Sequence, residues 1–316
     1  MRSIPVLFYF FAIGLGVHAQ DIGPAGTLVT GGHGSDQQAM LSWSVGQISG
    51  TSMTSGSELL TLGIQQPGIV LLPINIKAFL DGPFDPLGGN MSDQLRSASL
   101  IPSAEPFTAL GFQHAGSGGG EQAVGGAFNN NGNDAVVDWV LIELRDASDP
   151  IKVVSTRSAF VQRDGDVVDV DGISVVQMTA LPGNYHVAVR HRNHLPVMTA
   201  LPVPLTMTAL PIDLTDGSVA TYGTDAQRST GGIHRLWAGD VTGDHVVKYV
   251  NTGNDRDPIL VAIGGVLPTA TAIGYLPTDV NMDGVVKYTG PANDRDRILI
   301  TIGGVVATDI RNAQFP

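Results

Sequence analysis

Apolar and polar residues alternate in short runs through most of this chain, and helical spacing is confined to two stretches near the C-terminus. Strand-like apolar runs extend from Ile74 to Leu80, Ala135 to Arg145, Lys152 to Val161, Val167 to Val170, Val175 to Thr179 and Tyr185 to Arg192. Turn chemistry separates them at Asp81-Gly82-Pro83, Asp149-Pro150, Asp164-Gly165, Asp171-Gly172 and Pro182-Gly183-Asn184. Strands at such spacing, with no helical pattern between them, predict an antiparallel β-sandwich body over 73–215. Upstream, Leu41-Ser42-Trp43-Ser44-Val45-Gly46-Gln47-Ile48 alternates in the same way and predicts a small β region over 20–72. The acidic run from Arg163 to Gly172 reads as a hairpin, with an Asp-Gly turn on each side of a short strand. Residues 116–134, rich in glycine and asparagine, are expected to form a surface loop, and 216–237 a linker.

The N-terminus departs from this rhythm. Arg2 precedes an apolar run from Ile4 to Val17, and Val17-His18-Ala19 offers small residues at the positions a signal peptidase reads. Residues 1–19 are therefore expected to be a secretory signal peptide, cleaved after Ala19. The apolar run is too short to span a bilayer comfortably, so no membrane span is expected.

The C-terminus holds an internal repeat. Residues 240–269 realign on 279–308 at an offset of 39 without gaps, and 18 of the 30 aligned positions are identical. Each copy opens with oxygen-bearing side chains at alternate positions: Asp240, Thr242 and Asp244, then Asp279, Asn281 and Asp283. Gly284 at the sixth position permits a sharp turn, and Val246 and Val285 at the seventh would offer backbone carbonyls. That is the first half of a calcium loop, the pattern a hard, oxygen-seeking cation requires. A twelfth-position carboxylate is missing. The next acids are Asp255 and Asp257 in the first copy, and Asp294 and Asp296 in the second. Each loop would need about four extra residues to reach them, counted from the usual twelve-residue spacing. Asp296 is favoured over Asp294 as the closing ligand, with Asn293 or Asp294 capping a short helix that Gly303-Gly304 ends. Two Ca2+ sites are expected. The second should be tighter, because His245 replaces glycine in the first copy, where φ > 0 is needed.

Two tandem DxNxDG-type loops, each followed by one short helix, resemble a dockerin module over 238–316. The resemblance implies a small α module of two EF-hand-like calcium loops and a protein partner docking on it. Dockerin loops close at position twelve without an insertion, and their recognition positions ten and eleven are occupied here by Tyr249-Val250 and Tyr288-Thr289. Most of the chain also resembles exported proteins of Bacteroidetes-type bacteria that carry SWSVGQ, VDWVLIELRD and paired NDRD stretches. Pro182-Gly183-Asn184-Tyr185 looks like the turn and strand of transthyretin-like sandwiches.

Composition narrows the function. The chain has no cysteine, so an exported form would rely on β cores or metal ions rather than disulfides. A net charge of −12 argues against nucleic acid and anionic membranes as partners. HExxH, GxSxG and P-loop signatures are absent from the sequence. His191 and His194 could chelate zinc only with further ligands the sequence does not identify, and a polar sandwich edge is the expected role of this segment. The expectation is thus an exported, non-catalytic calcium-binding protein, secreted or at the cell surface, that works by binding or display. The alternative is a carbohydrate-active protein, with a glycan as partner of 73–215.

Overall fold

Strand Val136–Asp146 is the spine of the fold, and its sequence explains why: ten of its eleven residues are buried, so it packs on both faces. It pairs with Val153–Gln162 on one side and Gly183–Arg190 on the other. The sheet has nine strands. Across it, Val176–Thr179 lies beside Leu71–Lys77, followed by Asp166–Val168, Val153–Gln162, Val136–Asp146, Gly183–Arg190 and Val197–Met198. Val203–Leu205 pairs off Gly183–Arg190, and Pro211–Asp213 runs parallel to Leu71–Lys77 while every other pairing is antiparallel. Trp139 and Phe160 pack at 4.1 Å between ring centroids, and the Trp139 indole N–H donates to the Pro102 carbonyl at 2.9 Å. A buried aromatic with its one donor satisfied fixes the register of these central strands.

This computed structural model describes residues 28–35, 40–46, 51–55, 58–62 and 70–316. The signal-peptide segment 1–19 lies outside the described residues. The chain divides into two units, Met1–Gly68 and Ile69–Pro316. In the first, Leu28–Ser35 pairs with Met40–Gly46 and Thr51–Ser55 with Glu58–Leu62, all antiparallel. In the second, the sheet and the repeats belong together, so 73–215 and 238–316 are parts of one unit.

Residues 216–237 are not an open linker. Gln227–Thr230 and Ile233–Leu236 form a hairpin, Leu236 is fully buried, and Arg228 and Arg235 both pair with Asp81 at 3.0 Å. The loop 116–134 is likewise tied down. The buried Glu105 carboxylate accepts from the Phe107, Thr108 and Gly120 amides, and Ala127 is buried in the sheet core.

The described chain is mainly β, with antiparallel sheets and few helices. The repeats contain helices Arg256–Ala262 and Asp294–Thr301, and each copy also carries short strands. Val246–Lys248 pairs with Ile310–Asn312, and Val285–Lys287 with Thr271–Ile273. The two pairings are equivalent at the 39-residue offset, residue for residue. The strand that follows each helix therefore pairs with the other copy, and the two repeats complete one another reciprocally. Val247 with Val286, Ile259 with Ile298 and Ile263 with Ile302 fill a second core between them.

Candidate functional site

The two acidic loops are built alike. In the second, the Asp279 carboxylate accepts from the Asp283 amide at 3.2 Å and the Gly284 amide at 2.8 Å, curling the loop around its first residue. Asn281 Oδ1 accepts from the Asp283 amide and Asp283 Oδ1 from the Val285 amide, at 2.9 and 2.8 Å. Asp294, fully buried, returns from the helix start. Its Oδ1 accepts from the Val280 and Asn281 amides, and its Oδ2 from the Lys287 amide at 2.8 Å. Asp255 does the same in the first loop, accepting from Val241, Thr242 and Lys248 amides at 2.9, 3.0 and 2.8 Å. Asp244 accepts from the Val246 amide and pairs with Lys248 at 2.8 Å.

Asp255 and Asp294, rather than the favoured Asp296, are thus the acids that fold back onto each loop's amides. The Asp257 and Asp296 side chains are half-exposed and pair with their neighbours Arg256 and Arg295. Their amides donate to Asn254 and Asn293 Oδ1 at 2.9 Å, so Asn293 is the helix cap. A side-chain cap with an acid at the third helical position satisfies two groups at once, which keeps Asp296 turned away from the loop.

Gathering carboxylates out of water has an electrostatic consequence. Burial, with Asp255 and Asp244 nearby, pushes Asp240 up to about 7. Burial and the Asp279 charge push Asp294 up to about 7. Burial raises Asp279 to about 6 against the opposing pull of Arg192, and burial also raises Asp255. Each group would release this cost to a bound cation.

The fit to calcium rests on the donor set. The alternating side chains Asp240, Thr242 and Asp244, and Asp279, Asn281 and Asp283, carry hard oxygens, and Asp240, only 3% exposed, has a buried Oδ1 with no hydrogen-bond partner. A buried carboxylate oxygen left unpaired is costly unless something completes it. Among the described residues, no group of three or more His, Cys, Asp or Glu side chains is gathered to hold a metal ion. The carboxylates alone do not make a site. Thr242, Asn281 and the Val246 and Val285 carbonyls would be needed to complete the shell.

The histidine-rich segment after strand Gly183–Arg190 lies between sheet and repeats. His191 Nε2 and Arg192 Nε both meet Asp138 Oδ2, at 3.1 and 3.0 Å, and Tyr275 donates to Asp138 Oδ1 at 2.5 Å. The Arg192 guanidinium sits over the Tyr275 ring and donates to the Leu276 carbonyl. Asn193 serves both copies. Its carbonyl accepts from the Gly239 amide, and its Nδ2 donates to the Pro277 and Asp279 carbonyls at 3.0 and 2.8 Å. His194 Nε2 accepts from the Gly82 amide at 3.0 Å, so its proton sits on Nδ1, facing Asn193 Oδ1 at 2.8 Å. With these nitrogens committed and both rings buried, this pair is a structural joint rather than a zinc site or an exposed sandwich edge. Burial lowers the pKa of both histidines, His194 the further.

Sequence reasoning missed this joint. Its signal was an apolar strand running straight into five consecutive polar residues, Arg190 to His194, an unusual density for a segment that is almost entirely buried. Among the described residues no helix is long and apolar enough to cross a membrane. Comparison with known protein families, with curated proteins and with solved structures gives no match for this chain.

Proposed function

We propose that this is an exported, non-catalytic protein whose paired C-terminal loops take up Ca2+ and thereby stabilise a β-rich unit that works by binding or display outside the cell. The first ion would be held by Asp240, Thr242, Asp244, the Val246 carbonyl and Asp255. The second would be held by Asp279, Asn281, Asp283, the Val285 carbonyl and Asp294. When bound, the ion would supply positive charge to carboxylates that otherwise repel one another in a low-dielectric setting. The unpartnered, buried Asp240 Oδ1 is the observation that carries this reading. Within it, the sheet is proposed as a sandwich-like scaffold and the repeats as a dockerin-like pair of loops fused to it. Calorimetry of Ca2+ into the chelator-stripped full chain tests it, with thermal melting beside it. Binding at two sites and a raised Tm are expected. No heat and an unchanged Tm would assign the acids to loop geometry alone.

A second reading has one observation in its favour. A cavity of about 330 Å3 is lined by Arg96, Ser97, Ser99, Ile101, Phe128 and Asn129. Its mix of hydroxyl, amide, guanidinium and aromatic groups suits a sugar. Glycan-array binding that Phe128→Ala abolishes would support this reading, and an array with no signal would remove it.

A further inference from the structure

Three arginines from separate parts of the chain converge on one aspartate. Asp81 is buried in the turn that follows strand Leu71–Lys77. Its Oδ1 accepts from Arg235 Nε and its Oδ2 from Arg228 Nη1, each at 3.0 Å. Arg297, from helix Asp294–Thr301, reaches the same turn and donates through Nη2 to the Gly82 carbonyl at 2.6 Å. Arg228 and Arg235 stand directly opposite one another on the hairpin Gln227–Thr230 and Ile233–Leu236. Like charges at opposed positions of an antiparallel pair destabilise it. The chain nonetheless keeps them there and brings a third beside them. Among the described residues, Asp81 is the only carboxylate paired with any of the three. Three guanidiniums against one carboxylate leave two positive charges unmatched, in a chain whose net charge is −12.

These guanidiniums are held in place without being used up. Arg235 is buried, its charged end lies 4.6 Å from the centre of the Phe84 ring, and its Nη2 donates to Thr230 Oγ1 at 3.1 Å. Arg228 also lies 6.0 Å from the centre of the Trp237 ring. Burial pushes the Arg235 pKa down, Asp81 opposes that, and the Arg228 and Arg297 charges add to it, so the three act on one another. Yet Nε and Nη2 of Arg228, and Nε and Nη1 of Arg297, have no hydrogen-bond partner among the described residues. Both side chains are partly exposed, and none of these four nitrogens is buried. Holding Asp81 does not explain the set, because one guanidinium fork can meet both oxygens of a carboxylate. The repeat does not explain it either. Arg297 aligns with Pro258 at the 39-residue offset, so the repeat fold needs no arginine there.

We infer that Arg228, Arg235 and Arg297 form a binding site for a dianionic tetrahedral oxyanion, as free phosphate or sulfate or as a phosphate monoester. Two unmatched positive charges call for a dianion, and guanidinium forks present paired N–H donors at a spacing that oxyanion oxygens accept. Asp81 fixes Arg228 and Arg235 from below through one nitrogen each, which leaves their remaining donors set in position before a ligand arrives. Such preorganisation lowers the entropy lost on binding. None of the three side chains hydrogen-bonds a proposed Ca2+ ligand, so this site does not rest on the calcium reading.

Calorimetry of sodium sulfate and sodium phosphate into the chelator-treated full chain tests the site, with sodium chloride at matched ionic strength beside them. Saturable binding of both dianions is expected, and none of chloride. The double variant Arg228→Gln, Arg297→Gln removes the four free nitrogens and keeps the pair of Asp81 with Arg235. It should bind either dianion at least about tenfold more weakly, since each charge-assisted hydrogen bond lost is worth about that factor. Should the double variant melt early, each single substitution is measured instead and should weaken binding at least about threefold. Arg256→Gln removes an arginine paired with Asp257 in the first repeat and should bind as wild type does. Glucose 6-phosphate beside glucose separates the sources. Tighter binding than inorganic phosphate marks a monoester as the ligand, equal or weaker binding marks the free ion, and both uphold the site. No saturable binding of either dianion by the wild type overturns the inference. So does binding that the Arg228 and Arg297 variants retain in full, or an equal loss in Arg256→Gln, which would mean diffuse attraction rather than a site.

Discussion

His245 and Gly284 occupy the same place in two copies of one loop, with φ of 67° and 85°, yet they meet different surroundings. A Cβ on Gly284 would lie 2.7 Å from Leu100 Cδ1, so loop two presses its backbone onto the body and a side chain there would have to displace the end of Leu100. His245 instead extends its ring to Arg190 and against Phe315, which also lies under the Arg145 guanidinium. Other differences follow the same line. Met282 is buried in the sheet core where the first copy has Gly243, and Arg297 donates to the Gly82 carbonyl where the first copy has Pro258. The residues kept identical build the loop and the shared core. Three of the pairs that differ, His245 with Gly284, Gly243 with Met282 and Pro258 with Arg297, lie where a copy meets the unsymmetrical sheet. At these contacts the two copies have taken on different chemistry.

The comparison can be tested through pH, where the largest effect is expected. Asp240, Asp279 and Asp294 have raised pKa values in the folded, metal-free chain. A raised carboxyl contributes stability that is complete below its unfolded value of about 4 and is lost as pH rises through the folded value. Metal-free protein should therefore lose several kcal/mol as pH climbs from about 4 to 8, since each carboxyl loses about 1.4 kcal/mol for every pH unit separating its unfolded from its folded value. Ca2+ should restore most of that. Denaturant melts at each pH, with and without chelator, measure it. Asp240→Asn should flatten the profile more than Asp279→Asn does.

Next in size is the joint. Arg192→Met strands the buried Asp138 and should cost about 3–5 kcal/mol in urea unfolding. A loss below about 1 kcal/mol would mean the repeats merely rest on the sheet. Met282→Ala should cost about 2–5 kcal/mol, the range for emptying a packed core position. Gly284→Ala should cost about 1–3 kcal/mol through its left-handed backbone and the Leu100 clash. The reciprocal change, His245→Gly, should stay within about 1 kcal/mol of wild type, since relief of a left-handed side chain offsets the lost ring contacts. Equal costs at the two sixth positions would dissolve the contrast between the loops.

Much of this was legible in the sequence, where the signal was local. The strand runs of the sheet, the repeat and its offset, the Asn293 cap and the Gly303-Gly304 stop all follow from near-neighbour chemistry. The distinction between Asp294 and Asp296 did not, because it depends on which side chain turns back to the Val280, Asn281 and Lys287 amides. The His191–His194 joint stands out in the sequence for its density of polar groups but reads there as an edge, since its partners Asp138, Gly82 and Asp279 are far away in the chain. The strands Thr271–Ile273 and Ile310–Asn312 share no residue identities, although their pairing registers match. Backbone pairing tolerates many side chains, so a structural repeat can outlast its sequence signal.

The reciprocal pairing of the repeats also bears on the order in which they can be finished. A nascent chain emerges from its N-terminus, and the strand that completes the second copy, Thr271–Ile273, is made before that copy's own loop. The first copy needs Ile310–Asn312, which lies beyond the whole of the second. The earlier copy is therefore the later one to close, across a longer span of chain and at a greater loss of chain freedom. Until that strand arrives, Val247 has no pairing partner on its edge, and the core shared by Ile259 and Ile298 is left half walled. A chain cut just short of Ile310 would hold a second repeat with its strand in place and a first repeat still lacking its own.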